Sequence, residues 1–258
     1  LLRPARELAL AHGLVERQGW VEHAVAEAAF AAGDWATCLE AGLRAVELGE
    51  RHGYDRLVVR SWAAVLPAAS LRGATATLER ARDWFDARQG QLPDSPYGRV
   101  LYAGARAWLA RGGLDPSPRP SVAWIRPAFG QWLANGSYEW MVAGDAILDA
   151  WYAAGPPAEL REALAEIGRH PPDDPFGPIL AATELHGLRL AGREGRPGER
   201  QAASDRVRRL AGETRAIGLP FWTARALRIL EELGAATAAD LDERAALEAA
   251  LGATRPVL

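Results

Sequence analysis

Gly33-Asp34-Trp35-Ala36-Thr37-Cys38-Leu39-Glu40-Ala41-Gly42-Leu43-Arg44-Ala45-Val46-Glu47-Leu48-Gly49-Glu50 is the stretch on which the fold turns. Cys38, Leu39, Ala41, Gly42, Ala45, Val46 and Leu48 recur at i, i+3, i+4 and i+7, the spacing that lines one face of an α-helix. Asp34 stands where a side-chain oxygen can accept a first-turn N–H, and Gly53 can take the left-handed turn that stops the helix. The spacing predicts a helix from Trp35 to Glu50.

Outward from this helix the pattern repeats. Six times a Gly, Pro or Ser precedes a large aromatic that opens an apolar helical stretch: Gly19-Trp20, Gly53-Tyr54, Pro96-Tyr97, Ser137-Tyr138, Pro175-Phe176 and Pro220-Phe221. Each stretch runs to a glycine, namely Gly33, Gly73, Gly112, Gly155, Gly192 and Gly234. The aromatics lie 34, 43, 41, 38 and 45 residues apart, the length of a two-helix repeat. "A" helices are expected near 20–32, 54–71, 97–111, 138–154, 176–191 and 220–233. "B" helices are expected near 4–17, 35–52, 75–88, 121–134, 157–168, 198–216 and 241–252. Ala, Leu, Arg and Glu dominate, a helix-favouring set, and no segment alternates like a strand. The fold class is all-α, a single domain over residues 1–258 of about six helical hairpins. Pro67 and Pro127 predict kinks, and the linkers at 89–96 and 112–120 loosen the register, the second as a break in it.

Composition narrows the function. A formal net charge of −3 argues against general attraction to nucleic acid or anionic lipid. All 30 basic residues are arginine, which removes Schiff-base lysines and any Walker A loop. The single Cys38 excludes an internal disulfide framework and suits a reducing, cytoplasmic setting. No apolar run approaches a membrane span. The chain opens Leu-Leu-Arg-Pro without Met, so we read it as a fragment of a longer protein.

Phe30-Ala-Ala-Gly-Asp-Trp35, followed by Cys38, Ala41 and Ala45, resembles the tetratricopeptide repeat. In that family a Gly-Asp-aromatic turn joins the two helices, and small residues on helix B admit helix A closely. Cys38 and Ala45 match the small positions and Trp35 the aromatic one, while Gly42 replaces a usual aromatic and leaves a gap to be filled. The resemblance implies a right-handed α-α superhelix. The longer units are similar to degenerate repeats of large bacterial signalling or transcriptional regulators, which carry an ATPase of the signalling type before the array and a DNA-binding or nucleotide-cyclase domain elsewhere. Ile217-Gly-Leu-Pro-Phe-Trp-Thr-Ala-Arg225 is similar to segments near the end of such arrays.

Candidate sites are few. Asp145 and Asp149, four apart on an apolar A helix, share one helix face and can pair with arginines or meet a ligand. Arg60 and Arg106 occupy similar faces of earlier A helices, and Trp140 stands close to the aspartates in sequence. These five residues, Arg60, Arg106, Trp140, Asp145 and Asp149, are the groove candidates. The ten tryptophans are otherwise expected to fill space beside the alanines. His12, His23, His52, His170 and His186 show no metal-ligand spacing, so neither metal nor cofactor is expected. Asp173-Asp174 is expected to cap a helix, and the arginines from Arg193 to Arg215 are interleaved with acids as on a solvated face. The expected role is a non-enzymatic scaffold for protein, peptide or flanking-domain contacts, with a homodimer left open. The alternative is a sensor that holds a small molecule or peptide in the groove. An all-helical hydrolase using Asp145 or Asp149 is disfavoured, because two carboxylates on one helix turn do not flank a sugar ring.

Overall fold

A computed structural model describes residues 2–88, 96–114, 138–154 and 177–257, with positions 158, 161, 162 and 164 between them. Among the described residues the secondary structure is helical, with no strand. Eleven helices follow in order: α1 Leu2–Ala11, α2 Val15–Ala32, α3 Trp35–His52, α4 Asp55–Arg72, α5 Thr75–Asp86, α6 Pro96–Arg111, α7 Tyr138–Ala154, α8 Gly177–Glu194, α9 Pro197–Ala216, α10 Pro220–Glu232 and α11 Ala238–Ala250. The protein is all-α, as expected. The helix foreseen at 121–134, most of that at 157–168, the kink at Pro127, all but the first three residues of the register break at 112–120 and the Asp173-Asp174 cap lie outside the described residues. No described helix is long and apolar enough to cross a membrane.

The α3–α4 pair forms as its residues dictate. The Asp34 carboxylate accepts from the Thr37 N–H at 3.1 Å, and Gly53 ends α3 at φ +72°. Small residues then admit α4: a Cβ on Gly42 would lie 2.2 Å from Val65 Cγ2, and one on Gly49 2.5 Å from Val58 Cγ2. Val65 therefore fills the gap that Gly42 opens. Cys38 is fully buried with its Sγ 3.6 Å from the Ala64 carbonyl oxygen, and burial, with Asp34 and Glu27 adding to it, pushes its thiol up to about 12. Helix α4 runs through Pro67 without a break.

Three glycines do a different job from the one their sequence context suggests. The first hairpin turns at Gly13, not near residue 18, so Gly19 and Trp20 lie inside α2. Gly19 is there for space, since a Cβ would stand 2.3 Å from Leu57 Cδ2. Gly192 likewise lies inside α8 against Leu233, and the left-handed turn after α6 is taken by Gly113 rather than Gly112. A glycine flanking an aromatic looks like a stop in sequence; here packing claims it first.

The A helices neighbour one another in order. Helix α2 packs on α4, α4 on α6, α6 on α7, α7 on α8 and α8 on α10, and α10 then returns to α2. At that closure the Phe30 and Trp35 rings stack at 5.5 Å and Phe221 lies 5.2 Å from Phe30. Gly33 makes room for Pro220, whose Cγ would be 2.7 Å from a Cβ. The C-terminal residues tie the same end of the array. The N–H groups of Thr254 and Arg255 donate to the Leu71 carbonyl at 2.8 and 3.1 Å, and the Arg255 guanidinium donates to the carbonyls of Arg111 and Gly112 at 2.7 and 2.9 Å. A cation on the last carbonyls of α6 opposes the partial negative charge of that helix end.

Trp35, Trp62, Trp108 and Trp222 are fully buried, so these tryptophans fill the interior as expected. Burying one such ring contributes about 4–6 kcal/mol of gross transfer free energy before ordering costs. The Trp108 indole N–H also donates to the Val142 carbonyl at 3.3 Å, which ties α6 to α7.

Candidate functional site

Helix α7 reaches its place because α6 lacks a side chain at the crossing. A Cβ on Gly104 would stand 2.4 Å from Ala143 Cβ and 2.7 Å from its Cα, so the two backbones meet there. Two residues on, Asp145 turns into the interior, and Asp149 lies one helical turn further on the same face. The expectation that both would line an open groove fails, because Asp145 is fully buried.

The partners come from α8 and α10. Asp145 Oδ1 accepts from His186 Nε2 at 2.7 Å and from Arg225 Nε and Nη2 at 3.3 and 3.2 Å. Asp149 Oδ1 accepts from Arg225 Nη2 at 3.0 Å and from Arg189 Nη1 at 2.7 Å. Arg189 also grips Glu232 with two bonds, Nε to Oε2 at 2.6 Å and Nη2 to Oε1 at 3.0 Å. Its guanidinium carbon lies 3.7 Å from the centre of the Tyr152 ring, a cation–π contact. His186 and Arg225 are fully buried and Arg189 nearly so. With Nε2–H serving Asp145, the 3.3 Å approach of Arg225 Nη2 to that nitrogen places two donors side by side, and the carboxylate oxygen between them is what makes this tolerable.

Charge compensation decides the state of the carboxyls. Burial alone pushes the Asp145 carboxyl up, but Arg225 and the His186 contact outweigh it and hold the group below the ordinary carboxylate range. Asp149 behaves alike: burial raises it, and Arg225, His186, Arg111 and Arg189 together bring it well below. Arg225 is displaced upward, since Asp145 and Asp149 overcome its desolvation. Arg111, at the end of α6, is lowered to about 10, first by burial and then by repulsion from Arg225. Asp145, Asp149 and Arg225 are therefore fixed charges, and the carboxyls are poor proton donors near neutrality. Its clearest physical work is to brace α7, α8 and α10 against one another. Among the described residues no group of three or more His, Cys, Asp or Glu could hold a metal ion.

The five groove candidates do not converge. Asp145 and Asp149 share the buried cluster. Arg106 lies elsewhere, donating to Asp86 at 2.6 Å and facing the Tyr102 ring at 5.7 Å. Arg60 sits 5.3 Å above the Trp20 ring in an open cleft between α2 and α4. The Trp140 side chain lies outside the described residues. Ion pairs from the aspartates to Arg60 or Arg106, which their similar helix faces suggest, are replaced by pairs to Arg225 and Arg189. His186, Arg189, Arg225 and Glu232 were not singled out by sequence. A signal existed in Trp222-Thr-Ala-Arg225-Ala-Leu, where one charge interrupts an apolar run and so needs a buried counter-charge. No protein-family model, curated protein or solved structure matches the chain.

Proposed function

We propose that the chain is a non-enzymatic helical-repeat scaffold of a bacterial signalling or transcription regulator, acting in the cytoplasm on another protein or on a flanking domain. Its hairpins, about six of them and tetratricopeptide-like, form a right-handed superhelix drawn in until the last meets the first. One observation carries the reading. Of the large hydrophobic side chains exposed among the described residues, Leu8, Leu10 and Leu14 fall together on the first hairpin, while only Ile217 and Leu241 lie elsewhere. Leu8 is 61% exposed and Leu10 58%, on either side of the buried Ala9, so the first hairpin carries apolar side chains that a partner would cover. The buried cluster supports the same reading, because Asp145 and Asp149, the carboxylates a hydrolase would need, are both committed to Arg225.

Photo-crosslinking tests this. With p-benzoylphenylalanine in place of Leu10, one protein or flanking domain is expected to be captured reproducibly. Capture should disappear when Leu8→Glu and Leu14→Glu are added, with the circular-dichroism melt unchanged. Adducts identical to those from a control probe at Leu241, or turnover of a substrate by the purified chain, would overturn the scaffold reading.

A further inference from the structure

The cleft between α2 and α4 holds chemistry that the scaffold role does not use. Its volume is about 580 Å3, inside the range of roughly 300–1,000 Å3 typical of small-molecule sites. Leu57, buried, forms the floor where it presses on Gly19. Trp20 and Tyr54 give the walls aromatic surface, and the Arg60 guanidinium stands beside the Trp20 indole. Arg17 and Arg56 project from the rim, both exposed and neither in an ion pair among the described residues. The two acids of the cleft are already engaged. Glu16 accepts from Trp20 Nε1 at 3.4 Å, and Asp55 lies 3.7 Å from Arg88 Nε.

We propose that this cleft binds a planar aromatic anion. Its ring lies against Trp20 and Tyr54, and its anionic group is taken by Arg17 and Arg56, whose planar guanidinium forks suit phosphate and carboxylate oxygens equally. A cation is disfavoured by the arginines of the cleft, and a purely apolar ligand would leave Arg17 and Arg56 desolvated without partners. The shared chemistry has two sources, a nucleoside monophosphate or an aromatic carboxylic acid.

Isothermal titration calorimetry on the full chain separates them. Adenosine 5′-monophosphate, adenosine, inorganic phosphate and 4-hydroxybenzoate are the probes. If a nucleotide is the source, the monophosphate binds at least about tenfold more tightly than adenosine or phosphate, since ring and anion must both be present. If an aromatic acid is the source, 4-hydroxybenzoate binds and the monophosphate does not, and the proposal stands. In either case Arg56→Ala weakens binding at least tenfold, Trp20→Leu does the same, and Trp20→Phe retains most of it with an unchanged melting temperature. Absence of binding by both aromatic anions overturns the proposal, as does binding that survives Arg56→Ala together with Trp20→Leu.

Discussion

Helices α3 and α4 meet without a charge between them at their closest points, whereas α7, α8 and α10 are held together by Asp145, Asp149, His186, Arg189 and Arg225. The two junctions do the same architectural work in opposite ways. The first depends on atoms that are absent, at Gly42 and Gly49, so it fails when atoms are added. The second depends on opposed charges that must all be present, so it fails when one is taken away. A steric interlock and an ionic brace thus have different weak points within one fold.

The largest effect should come from breaking the brace. Asp145→Ala takes one of its two carboxylate partners from the buried Arg225 and is expected to cost about 3 kcal/mol in urea unfolding. Replacing Asp145, His186 and Arg225 together by apolar residues of similar volume should recover much of that loss, which separates the cost of an under-compensated charge from the worth of the brace. Acid probes the same set. Both aspartates are held below their ordinary value of 3.8, so their contribution is present above that value and fades as pH falls through the lower folded range. Unfolding followed from pH 7 to pH 3 should therefore show stability falling at the acid end, with a smaller fall in Asp149→Asn.

The interlock should break less severely. Gly42→Val drives carbon into Val65 and is expected to cost about 2 kcal/mol, within the range for overpacking, and Val65→Ala in the same chain should restore part of it. The smallest effect is at the helix start, where Asp34→Ala removes the acceptor for Thr37 and should cost about 1 kcal/mol in the same assay. If Gly42→Val proved harmless, the close approach of α3 and α4 would not be what holds that junction.

Local features were legible because they are written in consecutive residues. The stripe from Cys38 to Leu48, the Asp34 cap and the Gly53 turn all came from spacing, and the structure has them. The shared face of Asp145 and Asp149 was legible for the same reason. Their partners were not, because helical periodicity says which way a side chain points and nothing about which helix arrives there. Arg60 and Arg106 have suitable faces, yet His186 and Arg225 come from helices placed by long-range packing. The turn at Gly13 was misplaced because Gly19 and Trp20 mimic a stop signal, while Gly19 is reserved for Leu57. The return of α10 to α2 had no sequence signal, since local periodicity does not report which distant helix arrives.

That return sets an order on assembly. Phe30 and Trp35 occur early in the chain, but the ring that covers them belongs to residue 221, and the seat on the Leu71 carbonyl is filled only by residues 254 and 255. During synthesis from the N-terminus, an aromatic face therefore waits uncovered while most of the polypeptide is still to be translated. A truncated or stalled product would keep that sticky surface, so quality-control chaperones should bind it far more strongly than the finished molecule.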